Sequence, residues 1–171
     1  DFAIIGGGII GSSLFYKISQ KYPNSNVILL EKENMLARHQ SGRNSGVIHS
    51  GLYYKPNSIK AKTCLNGYNQ LVNFCKEYNI KHEICGKIVV AKNSNELGNL
   101  SLLNSKGIEN GLKGIEILDE KSIKEFEPNI RGVKGLYVPQ TGIVDYVGMT
   151  NKFVDLALQN KNYNIKYDFN V

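Results

Sequence analysis

The sequence is poor in cysteine, in long apolar runs and in anything repeated. Three cysteines occur among 171 residues: Cys64, Cys75 and Cys85. The number is odd and no pair has C-x-x-C spacing, which excludes a disulfide framework. Cys64 and Cys75 fall on one predicted helix; at about 1.5 Å per residue they stand about 16 Å apart, beyond disulfide reach. Each reads as a small buried apolar residue in a reduced compartment. No His/Cys cluster has metal-ligand spacing, so no metal is expected. No apolar run approaches the roughly 18 residues that a membrane-spanning helix needs. There is no repeat and no low-complexity tract. No secretory signal opens the chain, since the first residues already read as a strand. It begins at Asp1 rather than Met, so a few residues and any targeting peptide are expected to precede it. The net charge is +6. The lysines are scattered and form no stripe interleaved with aromatics, so no nucleic-acid partner is expected. With 42% apolar residues, the composition is that of a globular protein.

What is present is concentrated at the start. Phe2-Ala3-Ile4-Ile5 is a short apolar run that stops at Gly6-Gly7-Gly8. From Ile10 the apolar residues change period: Ile10, Leu14, Ile18 and Tyr22 recur every four, with Phe15 beside them, predicting a buried strand that turns into an amphipathic helix. Gly6, Gly8 and Gly11 fit G-x-G-x-x-G. Gly6 allows a tight turn, Gly8 lets a pyrophosphate approach the backbone, and Gly11 lets helix and strand pack closely. The helix N-terminus offers free N–H groups and a positive dipole end. Val27-Ile28-Leu29-Leu30 reads as a second buried strand ending in Glu31, twenty positions after Gly11. An acidic residue there bonds a ribose hydroxyl and repels a 2′-phosphate.

Residues 38–54 form a long polar, glycine-rich excursion with no sustained period, and loops of that kind are usually functional. Pro56-Asn57-Ser58 opens a helix of about five turns. Gly86 to Ala91 reads as a strand, Glu96 to Gly107 as a helix closed by Gly107, and Ile115 to Leu118 as a strand. Asp119 caps a short helix that Pro128 ends. Gly135 to Val144 reads as a hairpin turning at Gln140-Thr141-Gly142, Met149 to Leu158 as a helix, and Ile165 to Val171 as a strand.

Several stretches resemble the FAD-dependent oxidoreductases of the D-amino-acid-oxidase and glycerol-3-phosphate-dehydrogenase superfamily. Within it they resemble the L-2-hydroxyglutarate dehydrogenase/oxidase family. They are IIGGGIIG (4–11), LLEKE (29–33), HQSGRNSGVIHSGLYY (39–54), KAK-x-C (60–64), CGK (85–87), EPNI (127–130) and PQTGIVDY (139–146). The resemblance implies an α/β fold: a Rossmann-like FAD-binding domain (G-x-G-x-x-G β-α-β) with an interleaved α+β substrate-domain segment. It places the first part of the FAD domain at 1–83, the substrate segment at 84–145 and the return to the FAD domain at 146–171. Gly6, Gly8, Ile10 and Gly11 would cradle the FAD pyrophosphate. Glu31 would hold the adenosine ribose, and Lys32 would lie beside the adenine. Gln40 and Ser41 would reach the phosphates or ribitol. Asn44, Ser45, Gly46 and Val47 would run under the isoalloxazine with their backbone amides, and the Val171 backbone would read the adenine edge. Arg43 departs from the histidine or small polar residue this family carries there.

His49 is either the base that takes the substrate hydroxyl proton or a histidine that bonds backbone. His39 is structural or phosphate-facing. Tyr53 and Tyr54 line a substrate cavity or simply pack. Lys60 and Lys62 are surface lysines or weak anchors for a carboxylate. The reaction implied is oxidation of L-2-hydroxyglutarate to 2-oxoglutarate, with quinone or oxygen accepting the electrons. The alternatives are a sibling flavoenzyme for glycerol 3-phosphate or an amino acid or amine, and a non-catalytic dinucleotide-binding module. A mitochondrial or cytoplasmic location, with peripheral membrane association, goes with the first reading. Family members are more than twice this length, so the chain is expected to be an N-terminal part.

Overall fold

A computed structural model describes residues 1–171. In chain order the elements are β1 (Phe2–Ile5), α1 (Ile9–Lys21), β2 (Val27–Leu30), β3 (Val47–Ile48), α2 (Ile59–Glu77), β4 (His82–Glu83), β5 (Lys87–Ala91), α3 (Leu97–Glu109), β6 (Glu116–Asp119), α4 (Glu120–Phe126), β7 (Lys134–Val138), β8 (Gly142–Val144), α5 (Tyr146–Ala157) and β9 (Tyr163–Lys166). They fall into two compact units. The first holds Asp1–Gly46, Cys75–Lys81 and Val144–Val171; the second holds Val47–Phe74 and His82–Ile143. Residues 47–74, expected within the FAD domain, group with the second unit. No helix is long and apolar enough to cross a membrane.

The first unit is a Rossmann-like β-α-β layer. Its sheet has the order β1-β2-β9 and is parallel throughout, with Ile4 beside Leu29 and Leu29 beside Ile165. Parallel strands are covered by helices, and here α1 packs against α5. Ile4, Phe15, Val27, Leu29, Val154, Ala157 and Tyr163 form the core. The Phe15 and Tyr163 rings lie 5.4 Å apart, as do those of Tyr16 and Phe153. Full burial of side chains this size contributes about 1.5–3 kcal/mol each.

The buried stripe of α1 is only partly the one the periodicity predicts: Phe15 is in the core and Ile18 packs against it, but Ile10, Leu14 and Tyr22 are exposed. Ser12 and Tyr16 face inward with Phe15, whereas Ile10 is 78% exposed and Leu14 48%. The apolar residues of α1 cover more than one face, and packing on the sheet and α5 fixes its rotation. The last strand also ends early: β9 stops at Lys166, and Asp168 takes a positive φ of 53° that turns the chain. Asp168 and Phe169 then donate their N–H groups to the Glu33 and Glu31 carbonyls at 3.1 and 3.0 Å. Helix α5 starts at Tyr146, three residues before its expected start, because Asp145 accepts the Gly148 N–H at 2.9 Å and caps it.

The second unit contains two small sheets, ordered β3-β8-β4 and β5-β7-β6. Strands β7 and β8 therefore do not form the expected hairpin. Lys134–Val138 is the central strand between β5 and β6, while Gly142–Val144 pairs with β3. Gly107 does not close α3. It lies inside the helix, where a Cβ would meet Ile115 Cδ1 at 2.5 Å, and Gly111 with φ +82° makes the turn. Asp119 does cap α4, accepting the Ser122 N–H at 2.8 Å. Leu52, Ala91, Leu100, Leu112, Leu136 and Val138 form this unit's core. All three cysteines are free thiols.

Candidate cofactor site

The strand β1 delivers the chain into a turn at Gly6, whose φ of +99° suits glycine and few other residues. A Cβ on Gly11 would overlap the Gly6 carbonyl oxygen, so the close approach of α1 to the end of β1 requires glycine there. Gly8 is the N-cap, with extended backbone and no capping side chain. The helical ladder starts with Ser12 N–H on Gly8 O at 2.9 Å. Ser41 Oγ accepts the Ile9 N–H at 2.8 Å. The N–H groups of Ile10 and Gly11 are left as the first-turn donors that a helix cannot satisfy from within.

Glu31 sits just past β2 and is only 7% exposed. One carboxylate oxygen accepts the Gly7 N–H at 2.5 Å, and the other accepts the Glu33 N–H at 2.9 Å. It thereby fastens the glycine turn to the end of β2, a role that spacing alone does not reveal. Each oxygen keeps a second lone pair for a hydroxyl. His39 Nε2 lies 2.7 Å from Glu33 Oε1, and Lys32 Nζ lies 4.0 Å from the same oxygen. The hydrogen bond from His39 holds the Glu33 carboxyl below the usual range.

Two clefts meet at this turn and share Ile5, Gly6 and Gly8. One, of about 350 Å³, brings Gly6, Gly8, Glu31, Lys32 and Val171 together with Leu30, His39, Phe169 and Asn170. The other, of about 470 Å³, brings Gly6, Gly8, Ile10, Gly11 and Ser41 together with Ile9 and Leu14. Phe169 and Asn170 join only because the turn at Asp168 folds the chain over. The extended reading of 165–171 hid them, although Phe169 stands two residues before Val171.

Gln40, Asn44, Ser45, Gly46 and Val47 line neither cleft. The Asn44 side chain is occupied within its own loop. Its Nδ2 donates to Gln40 O at 3.0 Å and Ser41 O at 2.8 Å, and its Oδ1 accepts the Gly46 N–H at 2.7 Å. The Gly46 N–H is thus already engaged, which removes one of the backbone donors expected to face the flavin ring. From Val47 exposure alternates: Ile48 and Ser50 are buried while His49 is exposed. His49 therefore stands on the same side of the strand path as Val47. It lines a separate cavity of about 90 Å³ with Tyr53, Tyr54 and Lys87.

The family profile described as "FAD dependent oxidoreductase" (DAO) matches residues 1–166. The chain belongs to this family. It is 52% identical over 152 residues to an L-2-hydroxyglutarate dehydrogenase of Indibacter alkaliphilus, covering 89% of this chain and 38% of that protein. It is 44% identical over 146 residues to the mitochondrial L-2-hydroxyglutarate dehydrogenase of Homo sapiens, covering 85% of this chain and 32% of that one. The chain thus spans well under half the length of these relatives. Among solved structures, dithionite-reduced L-α-glycerophosphate oxidase from Mycoplasma pneumoniae with FAD bound superposes with a TM-score of 0.86. It is 29% identical, covering 98% of this chain and 44% of that one.

The cofactor of this DAO-family chain is FAD, and the residues present fit it. The turn has no side chain at Gly6 or Gly8 in the place where the two clefts join. The free donors of α1 point out of that turn, and a buried carboxylate with spare lone pairs stands beside it. A dinucleotide has its two halves joined by a pyrophosphate, and two clefts meeting at a bare backbone turn match that shape.

Proposed function

We propose that the full-length protein carrying this chain oxidises L-2-hydroxyglutarate to 2-oxoglutarate. The observation that carries the reading is the 52% identity, over most of this chain, to a protein named for that activity. FAD, held in this site, would supply a two-electron acceptor for oxidation of the substrate's carbinol carbon, and a base on the protein would take the hydroxyl proton. In this reading Gly6, Gly8, Ile10 and Gly11 hold the pyrophosphate through backbone and helix N-terminus. Glu31 takes the adenosine ribose hydroxyls, and Lys32 and Val171 flank the adenine. Ser41 shapes the helix end that meets the phosphates, with Gln40 beside it. Asn44, Ser45, Gly46 and Val47 form the strand of backbone under the isoalloxazine, with Asn44 as the staple that holds its shape. His49, exposed on the Val47 side of that path, receives the hydroxyl proton. Residues 1–83 and 146–171 serve as the FAD-binding domain and 84–145 as the substrate-domain segment, with 47–74 packed against the latter.

Quinone or oxygen accepts the electrons in this reading, since the one G-x-G-x-x-G motif is taken by FAD. The enzyme is mitochondrial or cytoplasmic and peripheral to an anionic membrane face, which the net charge of +6 favours. The decisive experiment is anaerobic mixing of the full-length flavoprotein with each enantiomer of 2-hydroxyglutarate, then with glycerol 3-phosphate and amino acids. Bleaching of the flavin by the L-enantiomer alone is expected. Bleaching only by glycerol 3-phosphate or an amine would replace this reading with a sibling flavoenzyme. A protein that binds NAD and no flavin would replace it with a dinucleotide-binding module.

A further inference from the structure

We propose that Lys87, with His49 and the Tyr53–Tyr54 turn, forms a carboxylate-binding subsite for the substrate; this rests on the hydroxy-acid reading above. Lys87 opens β5, and its backbone is fixed by pairing with Val138 of β7. The preceding Gly86 has φ +74° and donates its N–H to Thr141 O at 2.8 Å. A Cβ on Gly86 would meet the Tyr137 ring at 2.6 Å, so the turn that aims Lys87 tolerates little else. On the opposite wall, Asn110 Nδ2 donates to Gly51 O at 3.0 Å and to Tyr54 O at 2.9 Å, holding residues 51–54 in place. The Cys64 thiol donates to His49 O at 3.4 Å and fixes the third side.

The ammonium group has no acidic partner. Lys32 and Lys124 form salt bridges with glutamates, whereas Lys87 forms none and lies with Nζ 4.3 Å from the Tyr53 ring centroid. A ring beneath a lysine covers one face of the ammonium and leaves N–H donors for an anion on the other. No carboxylate lines the cavity; its polar side chains come from His49, Ser50, Tyr53, Tyr54 and Lys87. Its volume of about 90 Å³ is that of about three waters at about 30 Å³ each, room for a carboxylate and its adjoining methylene. A dicarboxylate needs a cation for each end. Lys87 is one of them, and it places a carboxylate beside His49, the candidate base.

The test titrates the full-length flavoprotein with glutarate, an unreactive dicarboxylate, and follows the change in flavin absorbance. Lys87→Met is expected to weaken glutarate about 10- to 100-fold, the scale of a lost charged hydrogen bond. Lys87→Arg is expected to stay within a few-fold of wild type. Equal affinities for wild type and Lys87→Met, with flavin content unchanged, would overturn the subsite. Should Lys87→Met lose its flavin, Lys87→Arg is compared with Lys87→Gln, and equal affinities of that pair overturn it too. Anaerobic reduction of wild type by L-2-hydroxyglutarate separates the two proposals. A wild type reduced by a different hydroxy acid, with that acid weakened by Lys87→Met, keeps the subsite and removes the L-2-hydroxyglutarate reading. A wild type that binds no carboxylate removes both.

Discussion

The Glu31 carboxylate accepts the Gly7 N–H at 2.5 Å across 24 residues of sequence, tying the glycine turn to the end of β2. The acid therefore has a structural task before any cofactor arrives. Glu31→Ala leaves buried donors without a partner, which costs about 1–3 kcal/mol. The expected outcome is a lower Tm in the flavin-free full-length protein as well as FAD binding weakened by a similar amount. An unchanged apo Tm would show that the hydrogen bond contributes nothing to the turn.

The glycines separate in the same kind of experiment. A Cβ on Gly8 would stand 3.1 Å from Ser41 Oγ, a contact that a serine rotation relieves, whereas a Cβ on Gly11 would overlap Gly6 backbone. Gly8→Ala is expected to fold with its secondary structure intact, and Gly8→Val to fold without retaining FAD. Gly11→Ala is expected to lose stability outright. Circular dichroism and flavin content of the three proteins check this. Full flavin occupancy in Gly8→Val would refute the pyrophosphate assignment.

If His49 takes the hydroxyl proton, His49→Ala slows flavin reduction by about 10²–10⁴-fold with flavin still bound. Stopped-flow absorbance with L-2-hydroxyglutarate measures it. An unchanged rate would leave the histidine as a wall of the cavity only.

Burial pushes the Cys75 thiol up to about 11. Burial also raises Cys64, while Cys85 is exposed. A maleimide at neutral pH should label Cys85 first and Cys75 only after unfolding. Because the folded state raises the Cys75 pKa from 9.0, its contribution to stability is full below pH 9 and is lost as pH rises toward about 11. Urea melts of wild type and Cys75→Ala across that range should converge as the pH rises.

Strand β1 pairs with β2 on one side only, and Ile10 and Leu14 are exposed beside it. An unpaired apolar edge is a template for association. Residues 1–171 expressed alone are expected to aggregate in a concentration-dependent way and hold FAD poorly. Leu14→Lys should raise the concentration at which light scattering begins. A monomeric yellow protein from residues 1–171 would contradict this.

The sequence by itself determined whatever depends on neighbours along the chain: the strand that stops at Gly6, the helix behind Gly8, the acid after β2, the Asp119 cap and the Pro128 stop. Backbone sterics and local hydrogen bonds act over a few residues, so their signature is written in those residues. Tertiary structure decided the rest. Packing on the sheet and α5 chose which face of α1 is buried, leaving Ile10 and Leu14 exposed while Phe15 joins the core, because rotation about a helix axis answers to what the helix packs against. Strands β7 and β8 went to different sheets, because pairing is settled by partners 15 to 96 residues away rather than by the turn between them. The turn at Asp168 brought Phe169 and Asn170 to the cofactor cleft, and Gly86 aimed Lys87 at the His49 cavity. In each case the deciding contact lies between residues distant in the chain, where spacing and periodicity carry no information.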